Sequence, residues 1–124
     1  YNHIGLTEAM LPSLYKSAGK DNVILKPAIT GAEDFSFFAQ KVPGLYFFIG
    51  GLPVGKDPIK SGPHHTPEFF IDDGAFKTGV TSFCNLVFDY MEMNKRKIDN
   101  YEKWFLVYII IENFTFHLAI YVGV

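Results

Sequence analysis

From Thr7 to Ala18 apolar residues return every three or four positions, at Met10, Leu11, Leu14, Tyr15 and Ala18. That period is helical, because residues three and four apart share a face. Thr7 is the expected N-cap and Gly19 the expected stop. Pro12 has no amide to give a helix, so the start of this element stays open. Val23 to Leu25 reads as a short strand ended by Pro27. A second helix is expected from Thr30 to about Gln40. Thr30 and Glu33 have the spacing of a capping box, and Phe35 and Phe38 are its expected buried residues. Pro43-Gly44 makes a turn. Leu45 to Ile49 is a continuous apolar run, the pattern of a strand covered on both faces. A third helix is expected from about Asp73 to Met93. Val80, Phe83, Cys84, Val87, Phe88 and Met91 fall on one apolar stripe, and Asp72 and Asp73 sit at its positive end.

The pattern changes after Lys97. The run WFLVYIIIENFTFHLAIYVGV carries Glu112 and His117 as its only readily ionisable side chains. Three readings compete for residues 94–124. About 20 apolar residues can span a bilayer, but Glu112 near the middle opposes that, since a charge there costs several kcal/mol. Tyr108, Ile109, Ile110, Ile111 and Phe114 favour extra β-structure. The favoured reading is a segment foreign to the natural protein, from a misjudged frame or a fusion. The expected division is therefore 1–93, a folded α/β unit, and 94–124, an apolar tail.

Composition narrows the function classes. At 124 residues the chain has room for one small domain. Hydrophobic residues at 48% and charged residues at 19% mark a globular chain rather than a disordered one. The net charge of −2 provides no basic field, which argues against nucleic acid as a partner. Self-association stays open. Cys84 is the single cysteine, so neither an internal disulfide nor a cysteine zinc cluster can form. This fits a reducing compartment and favours the cytoplasm. Within its stripe Cys84 is expected to be buried and inert. The chain opens on Tyr1 rather than Met, so upstream sequence is expected to be missing.

The loop GGLPVGKDPIKSGPHHTP, residues 50–67, holds the best chemical candidates. Loops of that length are usually functional or disordered. His64 and His65 could ligate a metal through neutral imidazole, and Pro63 and Pro67 stiffen the backbone beside them. Solvated loop histidines are the plain alternative. Adjacent side chains diverge, so both are not expected on one ion. Glu33 and Asp34 could act as a carboxylate pair, or could simply cap a helix and complement its dipole. Gly50 to Lys56 imitates a phosphate loop. Asp57 stands where Ser or Thr is needed, and Pro58 follows where a helix should begin, so that reading is rejected.

Three strings in order, TGAEDFSFFAQ (30–40), PGLYFFIGG (43–51) and HHTPEFFIDDGAFKTGV (64–80), resemble the closing part of M20 family metallopeptidases, especially their amidohydrolase branch. LTEAMLPSLYKSAGKDNV resembles the segment leading into them, so the likeness covers about residues 1–93. It implies a two-domain metallohydrolase, with this chain a C-terminal piece of the α/β catalytic domain. It also implies two divalent ions, zinc or manganese, per complete site. His65-Thr66-Pro67 matches a string whose histidine ligates metal in the family, which singles out His65. His64, Glu33 and Asp34 are then supporting residues and not ligands. Gly50 and Gly51 match a loop near the substrate pocket. The implied reaction is hydrolysis of an amide in an N-acyl amino acid, an amino acid conjugate or a small peptide. The general-base glutamate and the other ligands have no match here, so the chain alone is expected to be inactive. The competing class is a non-catalytic binding module or one held at a membrane by the tail.

Overall fold

A computed structural model describes residues 1–27, 31–95, 106–115 and 118–121, the last two segments by their backbone alone. The order of elements is α1 (Ile4–Ala18), β1 (Val23–Lys26), α2 (Phe35–Ala39), β2 (Gly44–Leu52), α3 (Gly74–Asn94), β3 (Leu106–Thr115) and β4 (Leu118–Tyr121). A 3₁₀ turn, Lys20–Asn22, joins α1 to β1. The four strands form one sheet in the order β1-β4-β2-β3. β2 runs parallel to β3 and antiparallel to β4, and β1 runs parallel to β4. The fold is mixed α/β. Of the three readings of the tail, the extended one matches the described backbone. Among the described residues no helix is long and apolar enough to cross a membrane.

β2 is buried along its whole length, as a continuous apolar run requires. Leu45, Phe47 and Ile49 join Leu6, Met10 and Leu14 of α1 and Ala75 and Leu86 of α3 in one core. Alternation along a strand sends Tyr46 and Phe48 to the opposite face. There Phe35 of α2 lies 5.3 Å from the Tyr46 ring, centroid to centroid. Tyr46 meets Phe48 edge-on at 5.1 Å, and the Lys26 ammonium sits 4.5 Å above Phe48.

α1 begins earlier than its apolar period suggested. His3 rather than Thr7 is the N-cap, and its Nδ1 accepts from the Leu6 amide at 3.1 Å. Thr7 lies inside the helix, buried, and its hydroxyl donates to the His3 carbonyl at 3.0 Å. Just before the helix, the Asn2 side chain imitates a strand. Its Nδ2 donates to the Tyr46 carbonyl at 2.8 Å and its Oδ1 accepts from the Tyr46 amide at 2.7 Å. The helix stops at Gly19, whose amide reaches the Tyr15 carbonyl at 2.8 Å.

α2 is one short turn, not a helix from Thr30. Thr30 lies outside the described residues, so the capping box is described only in part. Glu33 precedes the helix, and its carbonyl accepts from the Ser36 amide at 3.0 Å. Helices this short persist only through packing, and among the described residues Phe35 is the buried residue of α2. Phe38, expected inside, is 59% exposed.

The largest departure is the rotation of α3. Its buried residues are Ala75, Gly79, Ser82 and Leu86, while Val80, Phe83 and Phe88 face outward and Cys84 is exposed, not buried. Small side chains explain the choice. A Cβ on Gly79 would come within 2.8 Å of Ile49 Cδ1, so α3 lies tight against β2 there. Across the helix pair, Asn85 Nδ2 donates to the Ser17 hydroxyl at 2.9 Å, and Lys16 meets Asp89 at 3.5 Å. Phe47 is fully buried, Phe69 is half-buried and Phe70 is 61% exposed.

Candidate metal-binding loop

The segment between β2 and α3 is fixed at its ends by backbone. The Asp72 amide donates to the Gly51 carbonyl at 2.8 Å, which ties the start of α3 to the end of β2. Asp72 Oδ1 then accepts from the Gly74 amide at 2.7 Å and caps the first turn. Gly50 and Gly51 are buried in β2, and the ladder to β3 shifts register between Gly50 and Leu52. In the first half of the loop Asp57 organises a turn. Its Oδ1 accepts from the Ile59 amide at 2.9 Å, and its carbonyl accepts from the Ser61 hydroxyl at 2.9 Å. A carboxylate committed to that turn agrees with the rejection of a phosphate loop.

The histidine-bearing half closes on itself. A Cβ on Gly62 would lie 2.5 Å from the Glu68 carbonyl carbon, so only glycine permits this approach. Inside the closure, the Thr66 hydroxyl donates to the Pro63 carbonyl at 2.8 Å and the Phe69 amide to the Thr66 carbonyl at 3.2 Å. The two histidines part company within it. The His64 ring turns in and meets Phe69 edge-on at 4.5 Å. Its Nε2 is buried and finds no hydrogen-bond partner among the described residues. His65 is exposed, with its ring centroid 6.2 Å from that of His64 and 74° out of its plane. His65 also has φ of 65°, and among the described residues it is the one non-glycine in that left-handed region. Such a conformation costs on the order of 1–3 kcal/mol and clusters at functional sites.

Glu33 and Asp34 are exposed ahead of α2. Among the described residues no group of three or more His, Cys, Asp or Glu converges to hold a metal. Among the described residues the loop offers one exposed imidazole, His65, beside the inward, unpartnered Nε2 of His64. Sequence reasoning found the histidines through their bracketing prolines. It missed Gly62, Phe69 and Asp72, whose roles depend on contacts across the loop. Gly62 beside Pro63 was the one local hint of a tight approach.

No family profile matches the chain, and no solved structure matches it. Thermostable carboxypeptidase 2 of Saccharolobus solfataricus is 37% identical over 68 residues, which is 55% of this chain and 17% of that protein. Thermostable carboxypeptidase 1 of the same organism is 39% identical over 64 residues, 52% of this chain and 16% of its own length. IAA-amino acid hydrolase ILR1-like 4 of Arabidopsis thaliana is 27% identical over 73 residues, 59% of this chain and 16% of its length. The chain spans about a sixth of the length of these relatives.

Proposed function

We propose that this chain, which carries M20-type hydrolase sequence, serves as the metal-binding close of an α/β catalytic domain that cleaves amide bonds. His65 is the ligand it contributes. The observation that carries this reading is the exposed imidazole at a left-handed backbone position, on a loop pinned at Gly62 and Glu68. Backbone positions of this kind cluster at active sites and ligand clamps.

The substrate class is an N-acyl amino acid, an amino acid conjugate or a short peptide. It is supported by relatives named as carboxypeptidases and as an amino acid hydrolase. A divalent cation, when bound, polarises a carbonyl and lowers the pKa of its water. Two ions, zinc or manganese, are the full complement proposed. Catalytic zinc takes about three protein ligands, and among the described residues His65 offers one. The others come from sequence beyond the described residues, in a two-domain protein, and the chain by itself is inactive. His64 and Phe69 fix the direction of His65 from the inner side of the loop. Gly50 and Gly51, buried at the end of β2, underlie the proposed substrate pocket. Glu33 and Asp34 have a structural part at the start of α2. The single thiol favours a reducing compartment, the cytoplasm.

The test is a chimera. The matched segment of thermostable carboxypeptidase 2 is replaced by its counterpart from this chain, and peptide hydrolysis is measured. An active chimera that loses turnover on His65→Ala, with its circular dichroism unchanged, supports the proposal. Near-normal turnover by the folded His65→Ala chimera overturns it.

A further inference from the structure

β2 meets the tail along both of its ladder edges. On one side β3 runs parallel to it, from Gly44 against Leu106 to Leu52 against Thr115. On the other side Phe47, Phe48 and Ile49 pair antiparallel with Ile120, Ala119 and Leu118. β4 also lies between β1 and β2, so those two strands are joined through the tail. The path from β2 through α3 to β3 is a strand, a helix and a neighbouring parallel strand. That is the repeating unit of an α/β sheet, in which parallel neighbours need a long crossover, usually a helix. β3 therefore fills a position of the kind such a sheet gives to one of its own strands.

We propose that the tail is an autoinhibitory plug: β3 and β4 hold the edges of β2 at which strands from the remainder of the hydrolase would pair, and the two compete for those edges. The proposal rests on the hydrolase reading, which puts the other metal ligands beyond the described residues. An edge takes one strand at a time, because each backbone N–H and C=O on it is committed to one neighbour. In this chain both edges of β2 are taken. β2 is apolar and buried throughout, and a bare edge on such a strand is a template for pairing. The tail is tethered to it through α3, which keeps its effective concentration high. Tyr108, Ile109, Ile110 and Ile111 of β3 are residue types that favour strands. The remainder of a catalytic sheet reaches β2 only by expelling the tail. While the tail is seated, the His65 loop is held apart from the segments that complete its site.

The experiment uses the chimera with thermostable carboxypeptidase 2 in three forms. One ends its segment from this chain at Asn94, one carries that segment on to Val124 as the last residue, and one adds Ile109→Pro with Ile110→Pro to the tailed form. Consecutive prolines remove an amide from each side of β3, so the ladder breaks whichever side faces β2. Hydrogen exchange read by mass spectrometry follows the tail and the carboxypeptidase part, and turnover is measured beside it. In the tailed chimera the amides of 106–115 are expected to exchange at least about tenfold more slowly than in the double-proline form. Peptides of the carboxypeptidase part are expected to lose protection there. Turnover is expected to fall about tenfold against the untailed form, equivalent to about 1.4 kcal/mol, and to recover with the prolines. A tail that exchanges as freely as its proline variant overturns the proposal. So does a protected tail that leaves the carboxypeptidase part as protected as in the untailed form. The hydrolase reading fails separately, if the folded untailed chimera has no turnover, and the exchange data judge the tail in that case too.

Discussion

The rotation of α3 can be tested by truncating two residues two positions apart. Leu86 is fully buried in the core, and Phe88 is 67% exposed. Leu86→Ala removes a packed side chain and leaves a cavity, at a cost of roughly 2–5 kcal/mol. Unfolding entropy of about 2.1 cal/mol/K per residue gives this 124-residue chain about 0.26 kcal/mol/K, so Tm should fall by about 8–20 °C. Phe88→Ala forfeits only the buried third of a ring whose full burial is worth roughly 1.5–3 kcal/mol. That is about 0.5–1 kcal/mol, and Ala returns up to about 0.5 kcal/mol of helix propensity. The assay is urea unfolding followed by circular dichroism, compared at equal slope, with the protein dilute enough that self-association does not enter. Leu86→Ala should be the worse variant by more than about 1 kcal/mol. If Phe88→Ala costs more, the helix buries the stripe of Val80, Phe83 and Phe88, and the placement argued above is wrong.

Three further outcomes are expected. Asn2→Ala strips two hydrogen bonds from the buried Tyr46 backbone and should cost about 1–3 kcal/mol by the same unfolding assay; a change near zero would mean water replaces the side chain freely. Burial raises the Tyr90 phenol above its ordinary 10.0. The folded state then holds that proton more tightly, so this contribution is intact below pH 10.0 and fades as pH climbs through the raised value. Tyr90→Phe should flatten that alkaline fall, and an unchanged slope would assign it to another group. Gly62→Ala in the active chimera should depress turnover through the His65 loop while leaving Tm within a few degrees, because the added Cβ strikes the Glu68 backbone and not the core. Unaltered turnover would remove Gly62 from the account.

What the sequence disclosed follows from which forces are local. The run from Leu45 to Ile49 announced a strand covered on both faces, and β2 is that strand. Gly19 announced the end of α1, because the chain turns there whatever packs nearby. The face of α3 could not be read. Both of its rows keep helical period, and the choice fell to Gly79 and Ser82, whose small size matters only once Ile49 is in place. Phe38 failed for a related reason: nothing local tells a ring that will be covered, as Phe35 is beside Tyr46, from one left exposed. In the loop, two adjacent histidines and their prolines were visible as candidate chemistry. Their division into an inward His64 and an outward His65 depends on Phe69 and on the closure at Gly62.

The contribution of His65 to metal binding is measured most directly by metal content. Chimeras carrying His64→Ala or His65→Ala are dialysed against trace zinc and analysed by elemental mass spectrometry. The account predicts that His65→Ala loses bound metal, while His64→Ala keeps most of it and loses turnover through a misdirected loop. Full metal occupancy in the His65→Ala protein, or its loss only with His64→Ala, would contradict it.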